Sequence, residues 1–317
     1  MNFLGDVSIS DMRVVPRVPA WARPRSEAQS DADAAYLAGA ALISLDYLVR
    51  EAPAWAGVWR MRLALKSVVA ASRLLRRADA ETDLRDAHVF RSVGADPGPA
   101  GKVLLAWRRL ASRSATLDED VVRSIAELLD LKWDGALAEV LANAQEMYGS
   151  QRSAPTIAAE LAASAYRARP DAELLAYWLA DAVLAQKFHW PVPIPLLAGQ
   201  ILSPVLRTGK LGNRIRPGET GWGRAVFTAY AQAAADACDL GIDLDKRAGR
   251  LLEVAPRLRA KGSAQVVKLL LEEDGLPASW SSAKLSARGA RRLFERLEEL
   301  GAVRELSGRP TFRIYGL

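Results

Sequence analysis

The chain has 317 residues, of which 50% are apolar and 25% are charged, with 43 basic and 37 acidic side chains. This balance is typical of a soluble globular protein, and the length fits about two domains. One cysteine and two histidines exclude zinc fingers, iron–sulfur sites and multi-histidine metal centres.

The sequence predicts a cytoplasmic protein that contacts no membrane. The longest stretch without Asp, Glu, Lys or Arg, the 19 residues from Phe188 to Leu206, is interrupted by four prolines. The next longest, from Ala34 to Leu45, has 12 residues, short of the ~20 that a membrane-spanning helix needs. The N-terminus has neither the basic head nor the apolar segment of a secretory signal. The lone Cys238 cannot form an internal disulfide, which fits a reducing compartment.

Positive charge is concentrated in two blocks. Residues 50–113 carry 13 basic and 6 acidic side chains, and residues 261–317 carry 10 basic and 7 acidic ones. Of the 43 basic residues 34 are arginine, a bias that a GC-rich genome also produces. The distribution of charge, more than its total, is therefore the feature to compare with nucleic-acid binding.

Most of the chain has helical periodicity. Residues 1–30 hold three prolines and no clear period, and we interpret them as an N-terminal arm. Apolar residues then recur at three- and four-residue spacings, and no run of β-branched residues appears before residue 301. The sequence predicts an all-α, multi-helix body over residues 31–260, with a second candidate boundary near residue 150. The predicted helices of the body are 31–51, 56–78, 81–90, 101–113, 118–131, 133–148, 156–169, 172–188, 224–240 and 244–259.

Residues 261–317 follow a different pattern. Helical periodicity over 263–271 is followed by a Gly-Leu-Pro break, a short turn or helix over 280–285, and a longer helix over 287–300. The apolar period then switches to two on either side of a turn at 307–310, which predicts a β-hairpin. Helix, short helix, long helix and hairpin in this order are the layout of a small C-terminal winged helix-turn-helix.

In a helix-turn-helix, the N-terminal half of the second helix reaches the base edges of DNA. Here that half is basic, and the trailing half carries Glu295, Glu298 and Glu299. Arginine suits such a role because its guanidinium pairs bidentately with guanine or phosphate. We therefore expect DNA contacts from the capping region, the leading half of the helix and the hairpin tip, through Lys284, Ser286, Arg288, Arg291, Arg292 and Arg309.

The first basic block offers a second candidate face for nucleic acid. It would consist of Arg73, Arg76, Arg77, Arg108 and Arg109, since phosphate contacts supply most of the non-specific affinity for DNA. The alternative interpretation is that the tryptophans interleaved with these arginines form core and the arginines are its solvated rim.

An acidic cluster precedes one of the two histidines. Asp79, Glu81, Asp83 and Asp86 gather before His88, and paired carboxylates can hold a divalent cation or perform acid–base work. Arginines alternate with these carboxylates, so local ion pairs explain the same pattern. The sequence predicts no cofactor, no bound metal and no catalytic residue.

Five stretches carry a family resemblance: GAALISLDYLVREAPAWAGVWRMRLAL, LRDAHVFRSVGADPGPAGKVLLAWRRLASR, ADAVLAQKFHWPVPIPLLA, APRLRAKGSAQVV and ARRLFERLEELGAVRELSGRPTFRIYGL. They resemble a bacterial family of proteins of unknown function, over nearly the whole chain from about Pro19. The last stretch also resembles the helix-turn-helix end of a related bacterial family of helical proteins. The resemblance implies a helical body with a DNA-binding-like C-terminal segment and no assigned activity. Fic proteins have a similar helical layout, but their His-Pro-Phe-x-Asp/Glu-Gly-Asn/Lys motif has no counterpart here.

Three functional hypotheses follow. The leading one is a DNA-binding protein, a transcriptional or replicon-associated regulator, whose body forms a homodimer or senses a partner. The homodimer is expected because helix-turn-helix proteins commonly bind two half-sites. The main alternative is a protein-interaction scaffold whose winged helix docks a partner protein. A weaker alternative is a metal-dependent enzyme that uses the Asp79–His88 cluster.

Overall fold

The computed structural model confirms a mostly helical fold class, with 64% helix. Part of the predicted N-terminal arm lies outside the residues that the structure describes. The described residues are 14–24, 28, 30–92, 94–114, 116–208 and 212–317.

The described residues form eleven α-helices and five short β-strands. The helices are α1 Asp31–Glu51, α2 Ala56–Ser72, α3 Glu81–Val89, α4 Gly98–Leu110, α5 Glu119–Leu128, α6 Gly135–Gly149, α7 Ala154–Ala168, α8 Glu173–Lys187, α9 Trp222–Val254, α10 Ser263–Glu272 and α11 Ala287–Glu299. The strands are β1 Arg207–Thr208, β2 Asn213–Arg214, β3 Leu276–Pro277, β4 Arg304–Glu305 and β5 Ile314–Gly316. β1 pairs with β2, and the other three form an antiparallel sheet in the order β3-β5-β4.

Helix α1 has the bounds that its sequence predicts. It begins at Ser30, whose hydroxyl accepts a hydrogen bond from the amide of Asp33 at 3.0 Å, and such N-caps satisfy a donor that the helix leaves unpaired. It ends at Ala52, which adopts a left-handed conformation with φ of 42° before Pro53. α1 lies along α9 and turns a buried, apolar face towards it.

Helix α9 is a single helix of 33 residues, so the prediction of two helices separated at 241–243 is wrong. Gly241 lies between the two predicted helices, and glycine is a weak helix former. Gly241 instead permits a close approach, because a Cβ atom there would lie 3.0 Å from Leu48 and 3.2 Å from Trp55. The glycine lets α1 and the start of α2 pack tightly against α9.

Helix α8 is buried on nearly all sides, as its Ala/Leu-rich sequence predicts. Its Asp181 is fully buried and accepts hydrogen bonds from the amides of Leu196 and Leu197 at 2.8 and 3.1 Å and from the Tyr230 hydroxyl at 3.2 Å. These bonds fasten the proline-rich segment after α8 to the core. Burial raises the pKa of Asp181 to about 7, against the opposing effect of the hydrogen bonds.

Helix α1 is, among the described residues, the one helix long and apolar enough to cross a membrane. Its most apolar 18-residue window has a mean hydropathy of 1.3, and 39% of that window is buried in the structure. Core helices of water-soluble proteins meet the same length and hydropathy. The expectation that the chain contacts no membrane stays a prediction.

The C-terminal segment, residues 261–317, shares one apolar core with the body. Helix α10 packs against α2, and Phe294 of α11 stacks on Tyr315 of β5 with ring centroids 5.1 Å apart. The predicted boundary at 260/261 falls in the connection between α9 and α10, and apolar contacts continue across it.

Replacing Asp181 by asparagine should remove one pH-dependent part of the stability. The stabilisation that the protonated Asp181 gives the folded state is complete below about pH 4, the ordinary pKa of the carboxyl in the unfolded chain. It is lost as the pH rises to about 7, the pKa in the folded protein. The free-energy advantage of the wild type over Asp181→Asn should therefore shrink by on the order of 2 kcal/mol between about pH 5 and about pH 8. Urea unfolding at several pH values measures this difference, and a constant gap would contradict it.

Candidate functional site

Helix α11 has one apolar and one polar face. It begins at Ser286, whose hydroxyl accepts a hydrogen bond from the amide of Gly289 at 3.2 Å, as the sequence predicts. The apolar face points into the core and consists of Ala290, Leu293, Phe294 and Leu297. The opposite face is exposed to solvent.

The leading end of α11 carries four exposed cations, Lys284, Arg288, Arg291 and Arg292. In the parts of the chain that the structure describes, no carboxylate lies within ion-pair distance of any of them. The three arginines recur at i, i+3 and i+4, which places them on one side of the helix. The structure thus brings together five of the predicted residues, including the capping Ser286.

The trailing half of α11 has the opposite charge. Arg296 forms an ion pair with Glu299, with Nη1 3.0 Å from Oε2, and Glu295 and Glu298 are exposed. The N-terminal end of a helix also carries the positive end of its macrodipole. Positive potential is therefore confined to the leading end, which would attract an anion there and repel one from the trailing half.

Arg309, predicted at the hairpin tip, is turned towards the body. Its guanidinium donates to Asp86 of α3 through Nη2 at 2.8 Å and to the carbonyl oxygen of Phe312 at 3.1 Å. It also lies over the ring of Phe90, 5.5 Å from the centroid. The sequence predicted that this arginine acts together with the cations of α11, but in the structure its side chain contacts α3.

A buried cluster of three charged residues joins the C-terminal segment to the body. Asp274, between α10 and β3, accepts hydrogen bonds from Arg62 of α2 and, at 2.6 Å, from Arg85 of α3. All three side chains are less than 10% exposed. Arg62 also donates to the backbone oxygen of Leu317 at 3.3 Å, so one arginine binds both Asp274, which precedes β3, and Leu317, which follows β5, at the same end of this antiparallel pair.

The carboxylate of Asp274 is held in its charged form. Burial alone would raise its pKa, but the positive charges and hydrogen bonds of Arg62 and Arg85 outweigh burial and hold the pKa below its ordinary value. Removing one partner from such a cluster leaves a buried charge uncompensated. Asp274 therefore fixes the position of the C-terminal segment relative to α2 and α3.

The second candidate basic face is not one continuous surface. Arg108 forms an ion pair with Glu273, with Nη2 2.5 Å from Oε2, and Arg109 donates to the hydroxyl of Ser124 at 3.3 Å. Arg77 pairs with the nearby Asp79, with Nε 2.8 Å from Oδ2.

Two members of this second face remain exposed. Arg73 and Arg76 lie in the turn that follows α2, which ends at Ser72 and not at residue 78 as expected. Arg76 has a left-handed conformation with φ of 55°. The structure therefore shows two neighbouring exposed arginines in this turn, and not the predicted face of five arginines.

The carboxylates of the Asp79–His88 cluster have separate partners. Asp79 pairs with Arg77, Glu81 lies 3.6 Å from Arg85, and Asp86 binds Arg309. Among the described residues, no group of three or more His, Cys, Asp or Glu side chains is arranged to hold a metal ion. Burial, with the charges of Arg108 and Arg91, lowers the pKa of His88 to about 4.

Sequence reasoning missed the role of Asp274. Its partners lie 212 and 189 residues away, and an acidic residue after an amphipathic helix is an ordinary surface pattern. Arg62 lies within the first basic block, residues 50–113, where a surface position is the ordinary expectation because arginine is rarely buried unless it is paired. The glycine that follows Asp274 is the one local hint in the sequence. The structure explains it, because a Cβ atom at Gly275 would lie 2.6 Å from Ile314.

Replacing Asp274 by alanine should destabilise the protein by about 3–5 kcal/mol, because Arg62 and Arg85 would remain buried without a counter-charge. The matched control is Asp243→Ala, which removes an exposed ion pair with Arg247 within α9 and should cost less than about 1 kcal/mol. Urea unfolding followed by tryptophan fluorescence measures both values. Equal effects of the two variants would contradict the structural role of Asp274.

The contact between Arg309 and Asp86 should appear as a coupling energy. The single variants Arg309→Ala and Asp86→Ala and the double variant form a cycle in which the second change costs less once the first is made. We expect a coupling of about 0.5–1 kcal/mol for this partly exposed pair, measured by urea unfolding. Strictly additive effects would show that the two residues do not interact in solution.

Comparison with curated proteins finds no match to this chain. The family model of a protein of unknown function (DUF1403) matches residues 6–317. That match confirms the predicted membership of a family of unknown function and covers both the body and the C-terminal segment. The chain therefore belongs to the DUF1403 family.

Proposed function

We propose that the protein binds DNA through the leading end of α11 and that residues 261–317 act as a winged helix-turn-helix. The observation that carries this proposal is the set of exposed cations Lys284, Arg288, Arg291 and Arg292, which have no carboxylate within ion-pair distance in the described parts of the chain.

The order of elements supports the winged-helix interpretation. α10, a turn over residues 280–285, α11, β4 and β5 follow one another within the segment, and β3 adds a third strand. A helix with an exposed face fits the major groove of B-form DNA. In such modules the second helix enters this groove with its N-terminal residues first.

The charge of the helix supports the same orientation. The cations would contact phosphates or guanine edges, and the glutamates of the trailing half would lie away from the backbone of the DNA. Arg288, Arg291 and Arg292 can each pair bidentately. The cations at one end of α11 have no carboxylate partner in the described ranges of the chain, in contrast to Arg108 and Arg309, which are held by carboxylates.

The proposal gives Arg309 a conditional role. Its contacts with Asp86 and Phe90 hold it on the body, so it contacts DNA only if that pair opens. The body would then serve as the platform that orients α11. This arrangement fits a transcriptional or replicon-associated regulator, in which binding at a defined site has to be coupled to the rest of the protein.

A protein-docking role is the second candidate, because one exposed aromatic residue lies beside the sheet of the C-terminal segment. Phe312 is 72% exposed, and its ring meets Phe90 edge to face at 5.7 Å. A partner protein would use this apolar position together with an acidic surface opposite α11. It would bind whether or not DNA is present.

Replacing Arg288, Arg291 and Arg292 together by alanine should weaken DNA binding at least tenfold, because three phosphate or base contacts are lost. A mobility shift with mixed genomic DNA measures the affinity, and selection of bound genomic fragments would identify the target. The matched control removes three exposed cations elsewhere, with Lys66→Ala, Arg216→Ala and Arg259→Ala.

The control variant should retain the shift of the wild type, because its total charge changes equally but α11 is intact. Loss of binding in both variants would mean that net charge alone attracts DNA. Binding that survives in the α11 variant would overturn the assignment. The docking role would be favoured if the wild type shifted no DNA and bound a partner protein that the Phe312→Ser variant does not bind.

A further inference from the structure

The outer face of α1 carries a row of large apolar side chains that is open to solvent. Tyr36, Ile43 and Tyr47 are 65%, 70% and 50% exposed, and their spacing of seven and four residues places them on one side of the helix. Trp21 stacks on Tyr36 with ring centroids 5.9 Å apart and extends the row. Single exposed apolar residues are ordinary, but a contiguous row marks an interaction surface.

A groove with a volume of about 490 Å³ lies beside this row. Its α1 side includes Gly39 and Ile43 and, at one end, the ion pair of Asp46 and Arg50, and the rest of the body lines it with apolar residues such as Phe188 and Phe227. A ridge and a groove side by side on one molecule make a self-complementary surface. A two-fold axis can then place the ridge of each copy in the groove of the other.

We propose that this surface binds a second copy of the chain, with the two α1 helices antiparallel. Charge decides the direction. The first turn of α1 is acidic, with Asp31 and Asp33, whereas its last turn carries both Arg50, which pairs with Asp46, and Glu51. Antiparallel helices keep the two acidic first turns apart and set each of them beside Arg50 of the second copy. Parallel helices would place the two acidic first turns beside each other, which costs free energy.

The apolar row and the charges agree on one register. An alignment that sets Asp33 opposite Arg50 of the second copy also sets Tyr36 opposite Tyr47. It places Ile43 against the neighbourhood of Gly39, where a Cβ atom would meet nothing within 4 Å. The glycine thus leaves the space that the isoleucine of the second copy fills. The helix is about 30 Å long, and in this register the contact extends along most of it.

This interface goes beyond DNA binding and does not rest on it, because α1 and α11 are separate surfaces. It is therefore tested without DNA. Sedimentation of the full chain across micromolar concentrations should give a mass of twice 34.4 kDa. Ile43→Arg should return the mass to that of one chain.

The matched control is Leu202→Arg, which makes the same change at an apolar residue 44% exposed and away from α1. It should remain a dimer. Circular dichroism checks that both variants stay folded, as substitutions at exposed positions should. A wild type that is monomeric throughout, or an Ile43→Arg variant that still dimerises, would overturn the proposal and assign this face to another occupant.

The direction of the helices has its own test. In the antiparallel register, the double variant Tyr36→Cys/Tyr47→Cys should form a disulfide-linked dimer on mild oxidation, and neither single variant should. Cys238 is fully buried and gives no background. A cross-link from Tyr36→Cys alone would show a parallel pair and contradict the register.

Discussion

The buried carboxylate of Asp274 is the interaction on which the arrangement of this protein depends. It lies between Arg62 and Arg85, which come from two different helices of the body, and it belongs to the C-terminal segment. Charges are costly to bury, and they persist in a core only when each is paired and hydrogen-bonded. Here both carboxylate oxygens are used, and Arg62 continues to the oxygen of Leu317. The cluster therefore permits one position of the C-terminal segment on the body.

This constraint separates two uses of arginine in the chain. Around Asp274, arginines hold elements together: Arg108 binds Glu273 and Arg309 binds Asp86, both across the junction between body and C-terminal segment. At the leading end of α11 the arginines are exposed and have no such partner among the described residues. A segment fixed by the first group presents the second group in a constant direction. In our proposal this rigidity lets the body position α11 on DNA.

The sequence was informative wherever local chemistry decides structure. The bounds of α1, the cap at Ser286 and the buried face of α11 follow from spacing and capping residues. Sequence-based prediction was wrong where the position of a residue depends on a contact with a residue far away in the chain. Gly241 lies in the predicted break between two helices but permits the close approach of Leu48. Arg62 lies in the first basic block and Arg309 was predicted to contact DNA, and their carboxylate partners lie more than 200 residues away. The cations of α11 were found because a helical period and a cap define which side of a helix faces outward.

The central claim is that the leading end of α11 contacts the phosphate backbone of DNA. The most direct measurement is the dependence of DNA affinity on salt, between about 50 and 200 mM, for the wild type and for the Arg288→Ala/Arg291→Ala/Arg292→Ala variant. Each phosphate contact contributes about 0.9 to the slope of log affinity against log salt. Our account predicts a slope that is shallower by about 2–3 in the variant. An unchanged slope would show that these arginines do not contact DNA and would contradict the account.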